Sequence, residues 1–321
     1  MSMFLLKPAY KNYLWGGNRL KNEYGKDSEV FPLAESWECS VHPDGPSTVC
    51  GTGETFPELI RKHPEYLGSH ASKVAGGQFP ILVKLIDARK NLSIQVHPDD
   101  EYAGINENGS LGKTEMWYVI EAEPDSELIY GFNQEVTADQ VRKAVENGTI
   151  EQILNHVPVK KGDIFVIEPG TVHSVGKGCL IAEIQESSNL TYRLYDYDRI
   201  DANGRKRELH LDKALDVIEF KNSAYPRQPM RVLRYREGYA SEVLGRCKYF
   251  QIERIITNSQ KPVRLYASDN TFHVMLCIDG KAVLEDDSTR VQLKKGECCF
   301  IPAGDGSVEL CGKSQLLYIG C

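Results

Sequence analysis

The stretch "GDIFVIEPGTVHSV", Gly162 to Val175, decides the fold. A four-residue run of apolar and β-branched side chains, Ile164 to Ile167, is closed by Glu-Pro-Gly and followed by a second short run ending at Val175. That is the signature of a strand, a turn and another strand. The phrase returns as "GECCFIPAGDGSV", Gly296 to Val308, with a one-residue difference in length before the proline. A repeat of this kind predicts two β-domains of one type. With Pro169 aligned on Pro302, Gly306 stands opposite His173, so the second copy keeps the scaffold and lacks the histidine.

Further strand-like runs, "FPILVKLI", "EMWYVIEA", "SELIYGF" and "CLIAEIQ", lie between turns rich in Gly, Pro, Asn and Asp, which makes the chain mainly β. Helical patterns are few. Thr55-x-x-Glu58 is a capping-box signature, Thr137 to Val157 carries apolar residues at helical spacing, and a shorter helix is expected over Asp212 to Glu219. The basic, Pro-containing stretch Lys221 to Gly238 looks like a connector. These features predict a domain over residues 1–225 and a C-terminal β-domain, without metal ligands, over 226–321.

Composition narrows the function. With 321 residues, 41% hydrophobic and 26% charged, the chain has the make-up of a globular protein with two cores. No run approaches the ~20 apolar residues of a membrane span, and the N-terminus lacks the apolar core of a secretory signal. A cytoplasmic location is expected. The nine cysteines form no C-x-x-C pair and suggest free thiols. A net charge of -7 argues against nucleic acid as a partner. "LWGGNRL" lacks the spacing of a nucleotide-phosphate loop.

The polar positions of "LSIQVHPDDEY", Leu92 to Tyr102, alternate with apolar ones, so Ser93, Gln95 and His97 share one strand face. A lone histidine there is ordinarily a core residue satisfied by a hydrogen bond. Here Glu115 opens the strand "EMWYVIEA" and His173 follows the "EPGT" turn. Side chains of these types at strand ends can converge in a barrel mouth and offer nitrogen and oxygen donors to zinc, with a position left for water or substrate.

The words around these residues resemble the type I phosphomannose isomerases: "KNYLWGG", "AESWE", "LSIQVHP", "GKTEMWYV", "EPGTVHSV" and "TYRLYDYDR" occur in that order between about residues 4 and 200. The resemblance implies two cupin, or jelly-roll, β-barrels with a few short helices, in the compact bacterial-type form. The helical segment at about 137–157 would be a small insertion in the first barrel. It also implies about one zinc per chain, held by His97, Glu115, His173 and Gln95. Gln95 equally suits a hydrogen-bonding place beside the metal, because an amide oxygen is a weak zinc donor. Where the family usually has His-Lys-Pro-Glu this chain has "GKTE", which retains Lys113 and Glu115.

The implied reaction interconverts mannose 6-phosphate and fructose 6-phosphate by proton transfer through an enediol(ate). It needs a cation for the developing oxyanion, a base, and a clamp for the phosphate of the hexose 6-phosphate. Lys113, two residues from Glu115, suits the base and equally a phosphate ligand. Arg193 of "TYRLYDYDR" offers a planar guanidinium for phosphate or enediolate and shares a strand face with Thr191 and Tyr195. Lys84, a single charge in an apolar strand, together with Glu35 and Trp37, are candidate substrate contacts. Glu183 and Gln185 share a polar face suited to supporting the site by hydrogen bonds, and His42 is assigned a structural place. Two other readings keep the same barrel: a metal-dependent cupin dioxygenase, which iron content and oxygen uptake would reveal, and a non-enzymatic sugar-binding cupin.

Overall fold

A computed structural model describes residues 3–321 apart from Ala202, Tyr225, Arg227 and Asp305. Tyr225, at the expected domain boundary, therefore lies outside the described residues. The N-terminal part is built on two antiparallel sheets. Six strands, in the order Ile164–Ile167, Glu115–Ala122, Cys179–Glu186, Ile81–Asp87, Glu35–Cys39 and Ala9–Lys11, form the first. The second runs Tyr192–Tyr195, Ile94–Val96, His173–Val175, Glu127–Phe132 and Leu154–Pro158.

The strand period assigns each residue to a face. Ile86, Trp117, Val119 and Ile181 of the six-stranded sheet pack with Leu128, Val157 and Val175 of the five-stranded sheet, so the two sheets enclose one core. Polar members of the same strand faces, Glu35, Lys84, Glu115, Glu183, Gln95 and His173, occupy the same interlayer space. Alternate residues of the six-stranded sheet, including Val83, Leu85, Tyr118 and Ile184, pack the other way, against Val274, Phe300 and Leu317 of the C-terminal sheet. The outer face of the five-stranded sheet, with Ile94, Val96 and Ile129, is covered by Val141 and Ala214 from two helices.

The C-terminal sheet has nine strands. Three long ones, Gln251–Ala267, His273–Glu285 and Gly306–Gly320, fold around a core of their own containing Met275, Leu284 and Leu310. Phe4–Lys7 adds to this sheet at Cys298–Ile301, and Thr48–Val49 adds to Phe4–Lys7. The N-terminal strand thus crosses the division expected near residue 225. The repeat seen in the sequence is structural: Gly162 and Gly296, each at φ 89°, open equivalent turns into the strands Ile164–Ile167 and Cys298–Ile301. A left-handed φ at both points explains why both copies start with glycine.

The helices are short. Phe56–Lys62 carries the capping box of Thr55 and Glu58, and Leu211–Val217 lies where a helix was expected. The helix expected over 137–157 is corrected to Ala138–Glu146, capped by Thr137 and Gln140. It ends at a turn in which Gly148 takes φ 66°. The remainder forms a 3-10 turn and then the edge strand Leu154–Pro158, because Leu154 and Val157 pair with Phe132 and Leu128. Sheet pairing there overrides helical spacing. Among the described residues no helix is long and apolar enough to cross a membrane.

Candidate metal centre and active site

Register brings the site together. In the five-stranded sheet Gln95 lies opposite His173 on one side and Arg193 on the other. In the six-stranded sheet Glu115 lies opposite Gln185, while Trp37, Lys84, Glu183 and Trp117 succeed one another across four strands. His97 follows the last residue of its strand, turned inward like Gln95. The two sheets therefore present their polar residues to each other across the core.

His97, Glu115 and His173 form a fully buried cluster, each offering one ligand atom, all within 4.8 Å of one another. His97 Nε2 lies 3.3 Å from Glu115 Oε1, and His173 Nε2 lies 3.7 Å from Glu115 Oε2. His173 Nδ1 is 2.9 Å from the Thr171 carbonyl, which accepts its proton and leaves the Nε2 lone pair turned to the cluster. The His97 ring lies 4.7 Å from that of His173. Burial and the nearby Lys113 charge lower the His97 pKa to about 3, so its imidazole is neutral. Burial opposes ionisation of Glu115, but Lys113 and His97 outweigh it and hold the carboxyl well below its ordinary range. Lys113 Nζ stands 2.9 Å from Glu115 Oε1, yet neither carboxylate oxygen accepts a well-directed hydrogen bond.

Two neutral imidazoles, a carboxylate and carboxylate oxygens left without well-directed donors fit a divalent cation that takes nitrogen and oxygen ligands. Gln95 completes the ring around the cluster. Its amide nitrogen is placed 3.5 Å from His97 Nε2 and 3.3 Å from His173 Nε2, while Ser93 Oγ donates to its oxygen at 3.3 Å. Rotating the amide by half a turn presents the oxygen to the two imidazoles and the NH₂ to Ser93, a change of assignment without movement of the chain.

Beside the cluster opens a cavity of about 180 Å³. Gln95 and Lys113 line it and also touch the buried triad; Glu35, Lys84 and Arg193 line it as well. Lys84 donates to Glu183 Oε1 at 2.9 Å, and Trp117 Nε1 donates to Glu183 Oε2 at 2.9 Å. Burial works against the Lys84 charge, but Glu183 outweighs it and raises the Lys84 pKa. Arg193 donates to the Glu208 carbonyl at 2.7 Å, while its Nε is buried without a partner. Burial and the neighbouring Arg207 charge depress the Arg193 pKa. Trp37 is fully buried: its Nε1 donates to Glu35 at 2.7 Å and its ring lies beneath Lys84 and Lys11. His42 packs edge-on to that ring.

Tyr13, Trp15, Asn189 and Arg207 also line the cavity and were missed in the sequence. The rings of Tyr13 and Trp15 stack at 5.4 Å. Arg207 is held by Asp196, donating from Nε at 2.7 Å and from its terminal nitrogen as well. The one available signal was that "KNYLWGG" and "RKREL" place aromatic and cationic residues in loops next to strands of the site.

The fold and site define a cupin whose first pair of sheets encloses a triad that could hold a metal ion. Residues 3–148 match the family model for the phosphomannose isomerase type I catalytic domain, and residues 243–319 match that for the mannose-6-phosphate isomerase cupin domain. Mannose-6-phosphate isomerase ManA of Bacillus subtilis is 37% identical over 97% of this chain and 96% of its own. A mannose-6-phosphate isomerase of Streptococcus mutans is 43% identical over 67% of this chain and 67% of its own. The crystal structure of a Bacillus subtilis mannose 6-phosphate isomerase superposes with a TM-score of 0.89 at 34% identity, covering 99% of each chain. The chain belongs to the type I phosphomannose isomerases, and it is an enzyme of the mannose-6-phosphate isomerase class.

Proposed function

We propose that the chain is a zinc-dependent aldose–ketose isomerase that interconverts mannose 6-phosphate and fructose 6-phosphate through an enediol(ate). The observation that carries this reading is the convergence of His97, Glu115 and His173 within 4.8 Å, beside a cavity bordered by lysine and arginine. A zinc-bound mannose 6-phosphate isomerase shares the fold, with a TM-score of 0.78 at 18% identity. His97, Glu115 and His173 would hold the ion, with the Gln95 oxygen as fourth ligand. Bound there, zinc supplies a Lewis acid that stabilises charge on sugar oxygens.

The remaining steps fall to side chains. Lys113 lines the cavity and, in its uncharged amine form, takes the proton from C2 of the open-chain aldose. The C2 electron pair becomes the C1–C2 double bond as the C1 carbonyl oxygen gains charge. Transfer of the O2 proton to O1 and return of the carbon-bound proton to C1, with the electron pair on O2 re-forming a carbonyl at C2, give the ketose. Lys84, paired with Glu183, lines the cavity where its ammonium can donate to sugar hydroxyls. Arg193 is a suitable phosphate ligand: its Nε is buried and unpartnered, and an arriving anion relieves the repulsion with Arg207. Glu35, oriented by Trp37, accepts from hydroxyls, and the Tyr13–Trp15 stack suits the apolar edge of the sugar.

A coupled assay that converts fructose 6-phosphate to a spectroscopic signal, started with mannose 6-phosphate, tests this reading. Turnover that tracks zinc content supports it. Zinc-loaded protein without turnover sinks it.

A further inference from the structure

Among the described residues the C-terminal sheet supplies none to the cavity described above, yet one of its turns reaches the segment that carries Lys113 and Glu115. That segment, Gly112 to Thr114, has each successive backbone N–H held by a different acceptor. Gly112 donates to Asp100 Oδ1 at 3.0 Å, Lys113 to the Pro98 carbonyl at 3.0 Å, and Thr114 to Glu186 Oε1 at 2.7 Å. A Cβ at Gly112 would lie 2.5 Å from the backbone of Asp99 and Asp100, so the segment is pressed against the start of the helix that follows His97. Asp100 is the hinge of this clamp, and its other oxygen faces across to the C-terminal sheet. Tyr249, in the turn between the strands Tyr239–Arg246 and Gln251–Ala267, donates to Asp100 Oδ2 at 2.5 Å, with Lys248 Nζ at 3.3 Å from the same oxygen. The turn is itself fixed, by Cys247 N–H to the Phe250 carbonyl at 2.9 Å and by Cys321 Sγ to the Tyr249 carbonyl at 2.7 Å.

We infer that Tyr249 is a positioning residue for catalysis: through Asp100 and Gly112 it fixes the backbone from which Lys113 reaches the cavity, which gives the C-terminal sheet a part in the reaction. The inference rests on the assignment of Lys113 to the proton transfer. Tyr249→Phe keeps the ring and removes only the donor. A small displacement of a catalytic group acts on the reacting geometry more than on substrate binding, so the loss belongs in kcat and not in KM.

The test measures kcat, KM, zinc content and amide hydrogen exchange for the full chain, Tyr249→Phe, Asp100→Ala and the double variant. The expected result for Tyr249→Phe is a kcat lower by about 5- to 10-fold, with KM and zinc content unchanged and faster exchange in the peptide spanning residues 107–115. In the Asp100→Ala background the Tyr249→Phe change should cost nothing further. A Tyr249→Phe protein with unaltered kcat and exchange, or effects that multiply fully in the double variant, overturns the inference. If Tyr249→Phe fails to fold, Lys248→Met and Asp100→Ala carry the same comparison. Faster exchange at 107–115 without any turnover of mannose 6-phosphate by the parent protein overturns the reading of the site and, with it, the catalytic part of the inference.

Discussion

Lys84 and Glu183 stand directly opposite each other on neighbouring antiparallel strands, joined at 2.9 Å and almost wholly buried. The pair is flanked in the same register by Trp37 and Trp117, so an ion pair lies between two indoles inside the core. Removing one partner strands a buried charge, which costs on the order of 3–5 kcal/mol. Glu183→Gln should therefore lower stability by about that amount in urea unfolding. The double variant Lys84→Met/Glu183→Leu should recover most of the loss while remaining inactive. A double variant as unstable as the sum of the two single ones would show that the pair does not act as a unit.

Arg193 lies in the strand Tyr192–Tyr195 and its side chain donates to the Glu208 carbonyl; among the described residues its side-chain hydrogen bond does not involve His97, Glu115 or His173. Arg193→Ala should cut kcat/KM by roughly 100-fold or more, as loss of a charged hydrogen-bonding group in a closed site does, with zinc content unchanged. Arg193→Lys should recover only part, since one ammonium cannot reproduce a planar two-donor contact. Wild-type turnover in Arg193→Ala would remove this residue from the site.

Gln95 should affect metal retention more than folding. Gln95→Leu is expected to weaken zinc binding by roughly 10- to 100-fold in chelator competition, whereas His173→Ala should abolish stoichiometric binding. Gln95→Glu should bind at least as tightly as wild type. Unchanged affinity in Gln95→Leu would place the amide outside the ligand set.

Glu186 gives a pH signature. Burial, aided by the nearby Asp100 carboxylate, pushes its pKa up to about 7, while it accepts the Thr114 N–H at 2.7 Å. A carboxyl raised in the folded state binds a proton there that the unfolded chain has already released. Its contribution to stability is complete below the unfolded value of about 4.3 and is lost as pH rises to about 7. Glu186→Gln keeps the acceptor and stays neutral, so it should be more stable than wild type at pH 8, by on the order of 3–4 kcal/mol, and about equal near pH 4. Parallel pH–stability curves for the two proteins would contradict this.

Much of the site was legible because strand period alone places Ser93, Gln95 and His97 on one face, and the repeat around His173 marks a strand–turn–strand unit. Lys84 was visible as an isolated charge, but its exact partner depends on the register of strands far apart in sequence, and periodicity within one strand carries no register. The same holds for Phe4–Lys7: its composition suits a strand, while its place in the C-terminal sheet follows from pairing with Cys298–Ile301. Arg207 and Tyr249 were illegible for a related reason. Each acts from a loop or turn, where no periodic pattern marks which side chain turns inward.

Zinc-dependent isomerisation is tested most directly by the isomerase assay on mannose 6-phosphate before and after chelation, with metal analysis of the same samples. The expected result is about one zinc per chain, loss of turnover in step with zinc removal, and recovery on adding zinc back. Full turnover in zinc-free protein, or zinc-replete protein that leaves mannose 6-phosphate untouched, would contradict it.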